Sequence, residues 1–385
     1  MALPQCVYAQ KDEYNPVETG VVSLGIAPDA RAAAMGDLGA ATDPDAYSQF
    51  WNPSKYAFAY SNAAVSISYT PWLRKIVNDI FLADIAGYWK LGGGDNQAVS
   101  ASLRYFSLGE VSTYSGSDGY AGQTFNPYEM AFDLGYSRKL SESYSMGIVF
   151  RYVYSALGYN SDGGSDAGDP VSGASAFAAD ISGYLTKYPI IGQSECQWSF
   201  GWNISNIGSK LNFDNGTSPA FLPTNLRLGT NFTFPLADYH TLSIGFDANK
   251  LLVPTKPRLA DYEDEVEYQQ ATIDWENTSS ISGIFKSFSD APGGAKEELQ
   301  EITWSLGAEY SYNNQFFLRA GYYYENEYKG GRKYYGLGAG FALNVLRLDA
   351  SYMIAASQNS PLDQTLRFSL TFDMDGLKEI FGGRR

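Results

Sequence analysis

The chain has 385 residues, of which 44% are hydrophobic and only 18% charged, with 30 Tyr, 22 Phe and 39 Gly. No run of about twenty apolar residues occurs, so a transmembrane helix is excluded; this leaves a soluble all-β protein or a barrel in lipid. A net charge of -15 argues against nucleic acid as a partner, since phosphate binding needs a basic face.

Met1 to Ala9 reads as the remnant of an export leader, with Val7 and Ala9 in the small-residue pattern of a cleavage site before Gln10. Cys6 would leave with the leader, so Cys196 would remain alone and no internal disulfide is expected.

Residues 10–61 do not alternate. Asp29 to Met35 is helix-like and stops at Gly36, a plausible C-cap. Gly39, Ala40 and Ala41 follow, then Asp43, Asp45 and the run Phe50-Trp51-Asn52-Pro53. A piece this small and polar cannot bury a core alone. A wide barrel with a charged wall could receive it, with Arg31, Asp37, Asp43 and Asp45 pairing with wall charges of opposite sign.

From Asn62 the sequence repeats one design: segments of about ten residues alternate bulky apolar with small or polar residues. Fourteen strands are predicted, starting at Asn62, Ile80, Gln97, Tyr128, Tyr144, Ala174, Cys196, Leu222, Thr241, Glu301, Gln315, Arg332, Val345 and Gln364. In the segment from Tyr128, Met130, Phe132, Leu134 and Tyr136 share one face and Asp133 lies on the other. The polar face also collects Arg104, Arg151, Asp180, Arg227, Asp247, Glu309, Arg319, Asp349 and Arg367. One or two charges per strand suit a polar lumen, with the apolar face in lipid and aromatic residues at its rims. The expected fold is thus an all-β antiparallel transmembrane barrel over 62–375, followed by a periplasmic tail, 376–385. Connections after even-numbered strands are mostly short and several after odd-numbered strands are long, which puts the long loops outside and both termini in the periplasm.

The longest loop, 251–300, is the most informative. Asp261 to Glu267 is acidic, and Ile281, Ile284, Phe285 and Phe288 recur at helical spacing before Asp290 to Gly294 breaks the helix. With Trp275, these residues are the candidate surface for cargo or a partner, or else a lid over the barrel mouth. Other motifs are weak. His240 sits in an expected turn, and no G-x-S-x-G elbow accompanies it, so no enzyme is expected. Gly336, Gly338 and Gly340 alternate within a strand and lack the helix that a nucleotide fingerprint requires, so they read as inward glycines that give the inner segment room. Asp162, Asp166 and Asp169 could hold calcium but lack EF-hand spacing and read as a solvated acidic loop, so no metal is expected. Asn215-Gly216-Thr217 matches a glycosylation sequon of little weight here. No cofactor is expected.

The Arg31-to-Met35-Gly36 run, the Gly39-Ala40-Ala41 step and Trp51-Asn52-Pro53 before the first strand resemble the FadL-like superfamily of outer-membrane barrels. Within it, the chain is most similar to the PorV-type barrels of type IX secretion. The resemblance implies fourteen strands and an N-terminal hatch in the lumen, joined to it through Arg31, Asp37, Asn52, Pro53, Arg104, Asp133, Arg151, Arg319, Asp349 and Arg367. It implies an outer-membrane shuttle that binds the C-terminal signal domains of secreted cargo. Its implied partners are the type IX translocon barrel, the PorU sortase with other attachment-complex proteins, and outer-membrane lipids, with lipopolysaccharide as a further candidate. The fold without that likeness would suit a transporter of hydrophobic small molecules, and an enzyme acting on lipopolysaccharide lacks a nucleophile and base.

Overall fold

In the computed structural model, residues 14–74, 77, 79–92, 96–114, 121–157, 173–212, 219–343, 345–356 and 363–375 are described. The expected leader, Asp162, Asp166 and Asp169, the sequon at Asn215 and the C-terminal tail lie outside them.

Fourteen strands close into one antiparallel barrel, in which each strand pairs with its sequence neighbours and the last with the first. They are β1 Ala63–Pro71, β2 Ile80–Lys90, β3 Gln97–Leu108, β4 Tyr128–Lys139, β5 Tyr144–Ala156, β6 Ala174–Lys187 and β7 Gln197–Gly208. The second half comprises β8 Asn225–Ala237, β9 His240–Leu251, β10 Thr303–Tyr312, β11 Phe316–Tyr324, β12 Lys333–Leu343, β13 Leu346–Ala355 and β14 Leu366–Asp373. Closure leaves the barrel wall no free edge, which a lipid environment demands. No helix among the described residues is long and apolar enough to cross a membrane.

The expected strand count holds, and most starts agree to within a residue or two. The largest departures have local causes. β8 begins at Asn225 rather than Leu222, because Pro223 has no N–H to give to a ladder. β10 begins at Thr303 rather than Glu301, because the Glu301 N–H closes a helical turn on Glu297 O.

Alternation sorts the two faces as physics requires. Phe132, Leu134, Phe150, Phe177, Leu318 and Leu348 are exposed on the outer wall, whereas Asp133, Arg151, Asp180, Arg319, Asp349 and Arg367 are buried on the inner one. Aromatic rings band the outer wall near both rims. Tyr69, Phe81, Tyr105, Tyr128 and Tyr154 touch in series toward the long-loop rim. Trp198–Phe232, His240–Tyr312 and Phe316–Phe341 lie toward the short-turn rim. Such girdles sit at headgroup depth. His240 opens β9, and its Nδ1 lies 2.6 Å from Tyr310 Oη.

Residues 14–60 run through the lumen in short helical pieces: α1 Ala30–Ala34, α2 Ser48–Trp51 and 3-10 turns at Val22–Gly25 and Pro53–Phe58. Asp29 caps α1 by accepting from Ala32 N, and Gly36 takes φ +73° just past the helix. The expected periplasmic N-terminus lies outside the described residues. β1 starts and β14 ends at the same rim, but the first described residues lie at the opposite, long-loop rim. There Asn15 N donates to Tyr328 O and Asn15 Nδ2 to Glu297. The chain therefore descends the whole lumen before it enters the wall. Strand parity fixes where the wall begins, not where a segment inside it starts.

Candidate functional site

Two regions carry the candidate residues: the lumen, where the inner segment meets the wall, and the loop from Leu252 to Ile302.

Hairpin register sets the lumen's first layer. Glu309 of β10 lies directly across from Arg319 of β11, Asp84 of β2 from Arg104 of β3, and Asp133 of β4 from Arg151 of β5. Each is an ion pair: Arg319 Nε donates to Glu309 at 2.6 Å, Arg104 Nε to Asp84 at 3.1 Å and Arg151 Nε to Asp133 at 2.7 Å. Arg151 also reaches Asp180 at 3.0 Å, and Arg319 reaches Asp349 at 2.8 Å. Pairing and extra hydrogen bonds are what allow such charges to be buried.

The inner segment plugs into this layer. Arg31 donates Nε and Nη2 to the two oxygens of Glu309, at 3.1 and 2.9 Å, and Nη1 to Asp45. Arg104 Nη1 donates to Ser23 O and Ile26 O, so wall charge satisfies carbonyls of the segment. Asp247 of β9 accepts from the backbone of Gly39 and Ala40 at 2.8 and 2.9 Å. Asn52 is completely buried and donates to Ala40 O and Gly183 O, while its own oxygen accepts from Ser54 N. Pro53, also buried, opens the Pro53–Phe58 turn, where its missing N–H costs nothing. Trp51 Nε1 donates to Asp29 at 2.7 Å. Tyr334 Oη donates to Asp37 at 2.5 Å, and Arg367 stands 3.9 Å from the same carboxylate.

Asp43 and Asp45 do not pair with wall cations, contrary to expectation. Asp45 turns to Arg31, and Asp43 accepts from the Gln197 amide at 2.8 Å, because Arg31 has already drawn the nearest carboxylates around itself. Burial, then the nearby Asp45, pushes the Asp29 carboxyl up to about 6. Burial pulls the Lys55 ammonium down to about 8; its Nζ donates to Gly39 O and Thr42 Oγ1. Asp29, Lys55 and Asp84 were not singled out from sequence. Asp84 was reachable, since it stands opposite Arg104 on the inward face of β2.

Wall glycines admit the segment. A Cβ on Gly307 would meet Met35 O at 2.5 Å, and one on Gly338 would meet Ala34 Cβ at the same distance. Gly336 faces the Ala33 carbonyl, and Gly340 faces Asp349 and Arg319. A cavity of about 490 Å³ remains between the segment and the long-loop half of the wall; another of about 240 Å³ lies below it. Tyr47 lines both.

The outer loop forms three helices: α3 Glu265–Asn277, α4 Ser280–Lys286 and α5 Ala295–Gln300. Trp275 turns inward. Its ring meets Phe221 at 5.2 Å and its Nε1 donates to Pro254 O, so it anchors the loop. Ile284 is partly buried, whereas Ile281 and Phe285 on α4 and Phe288, in the turn just past its end, are 64%, 73% and 52% exposed. The loop is fastened at its far end: Lys250 Nζ reaches Glu298 at 2.9 Å and Glu301 at 2.5 Å, and Lys329 Nζ reaches Glu297 at 2.6 Å and Glu301 at 2.9 Å. Among the described residues, no group of His, Cys, Asp and Glu could hold a metal ion.

A family model described as type IX secretion system protein PorV matches residues 9–258. Among solved structures, the toluene transporter TodX of Pseudomonas putida is similar with a TM-score of 0.50 at 11% identity, over 94% of this chain and 99% of that one. A FadL homologue of Pseudomonas aeruginosa gives a TM-score of 0.44 at 12% identity, over 94% and 99% of the two chains. At such identity the first likeness speaks for the fold alone. No curated protein sequence matches the chain.

Proposed function

This chain belongs to the PorV family of the type IX secretion system, and on that premise we propose that it is an outer-membrane shuttle for secreted cargo. It receives the C-terminal signal domain of a cargo protein as that protein leaves the translocon barrel. It then carries the cargo to the attachment complex that holds the PorU sortase. The observation that carries this reading is the exposed apolar group on and just after α4. Ile281, Phe285 and Phe288 stand out in solvent at the long-loop rim, extracellular in a barrel of this class, on a loop clamped by Lys250 and Lys329. An exposed apolar patch of this kind marks a protein-binding surface.

Burying each of these side chains would contribute roughly 1.5–3 kcal/mol. Ile281→Ser, Phe285→Ser and Phe288→Ser together should weaken retention of a cargo signal domain on the purified barrel at least tenfold and reduce surface display. Unchanged retention and display would reject this docking face. Normal cargo secretion in cells lacking the whole protein would reject the shuttle.

TodX is described as a toluene transporter, and passage of apolar small molecules is the competing reading. The larger cavity speaks against it. Asp84, Arg104, Asp133, Arg151 and Arg227 line it; although Arg104 and Arg151 are paired with Asp84 and Asp133, an uncharged apolar solute gains no hydrogen bond from so polar a wall.

A further inference from the structure

Two cavities approach each other inside the barrel from opposite ends. The larger, about 490 Å³, reaches up to Gly330 and Arg332 at the long-loop rim. The smaller, about 240 Å³, reaches down to Tyr60 and Val345 at the short-turn rim. Along the inner face of β2 the larger takes Asp84 and Ala86, and the smaller takes Tyr88, the next inward position. Successive inward residues of a strand stand roughly 7 Å apart, so the partition here is about one side chain thick. That side chain is Tyr47, the one described residue that lines both cavities. It belongs to a buried cluster with Ala27, Ala32, Trp51 and Ala86.

We propose that the two cavities are the halves of one passage for water and small hydrophilic solutes, and that the Tyr47 ring is its gate. The walls suit such solutes. Asp84, Arg104 and Asp133 line one half, and Arg347, Asp349 and Asp373 line the other. Charges of both signs in each half supply donors and acceptors to a hydrated solute and favour neither cations nor anions strongly. The ring itself is lightly held. Tyr47 N donates to Asp45 Oδ1 at 3.0 Å, which fixes the backbone, but the hydroxyl, beside Ser66 and Ser68 of β1, makes no hydrogen bond. Open volume lies on both sides of the ring, and the cluster around it is mostly alanine. The ring therefore has room to turn into either cavity and join the two, while the inner segment stays in place. The passage lies inside the barrel, away from Ile281 and Phe285, so it stands or falls independently of cargo docking.

The test is the conductance of the full-length barrel in planar bilayers bathed in potassium chloride. Wild type should show brief, infrequent openings. Tyr47→Ala should raise the mean current at least tenfold, with little preference between potassium and chloride, and Tyr47→Trp should not exceed wild type. Loss of the inner segment would also raise the current, so a second variant separates the two causes. Tyr47→Cys should likewise conduct, and a charged methanethiosulfonate reagent added from either side should close most of that current, because position 47 faces both cavities. A barrel that has lost its segment would go on conducting after the same treatment. A silent wild type or an unchanged current in Tyr47→Ala would overturn the proposal. So would a reagent that reaches position 47 from one side only, or a current that survives modification. If the alanine variant does not assemble, heat-modifiable migration will show it, and the cysteine variant then decides.

Discussion

Arg31 in the inner segment and Glu309 in the barrel wall are joined by two parallel hydrogen bonds, 3.1 and 2.9 Å long, across 278 residues of sequence. Glu309 also accepts from Arg319 at 2.6 Å and lies 3.7 Å from Arg347, so this carboxylate meets all three guanidinium groups, whereas Asp45 meets Arg31 and Asp349 meets Arg319 and Arg347.

That asymmetry predicts unequal mutants. Glu309→Gln leaves three arginines with only Asp45 and Asp349 as counter-charges and should cost about 3–5 kcal/mol. Arg31→Met leaves Glu309 still paired with Arg319 and should cost less, about 1–3 kcal/mol. Denaturant midpoints of the folded barrel measure both. An Arg31 variant as unstable as the Glu309 variant would refute this account of the cluster.

Lys55 gives the lumen a pH dependence at the alkaline end. Its folded pKa of about 8 lies below the ordinary 10.5 because burial disfavours the charged form. Between those values the unfolded chain binds more protons than the folded one, so Lys55 makes stability rise with pH across that window and adds nothing further above it. The full effect is of order 3 kcal/mol. The difference between wild type and Lys55→Met, measured from pH 7.5 to 10.5, isolates this group from other titrations. A flat difference would show that Lys55 is not buried as a cation.

The wall glycines should control whether the lumen is filled. A side chain at Gly307 would strike Met35 O, and one at Gly36 would strike Tyr322 O at 2.6 Å while also forcing a positive φ on a branched residue. Gly307→Val and Gly36→Val should therefore leave barrel assembly intact, displace the inner segment and raise single-channel conductance in planar bilayers above that of wild type. Conductance indistinguishable from wild type in both variants would mean that the segment does not seal the lumen.

The course of the inner segment predicts an exposed start. Glu18 pairs with Lys256 of the outer loop at 2.8 Å and is largely in solvent, whereas Tyr60 is exposed at the opposite rim. In intact cells a membrane-impermeant maleimide should label Glu18→Cys and spare Tyr60→Cys, and both should react once the outer membrane is opened. Labelling of the second residue alone would invert the orientation.

What the sequence determined by itself was whatever depends on local period. Alternation over ten residues placed Phe132 and Leu348 on the lipid face and Asp133 and Arg151 on the inner one, because a strand turns each successive side chain over. The short hairpin turns also encoded Asp133 opposite Arg151 and Glu309 opposite Arg319, since a tight connection fixes register. The helix ending at Gly36 and the apolar spacing of Ile281, Phe285 and Phe288 were likewise local. Tertiary structure alone decided the rest. That Arg31 takes Glu309 while Asp43 takes an amide, that Trp275 faces inward, and that the chain enters the lumen from the long-loop rim all depend on groups far apart in sequence. Closure of the barrel brings such groups within 3 Å, and no periodicity records which partner each will meet.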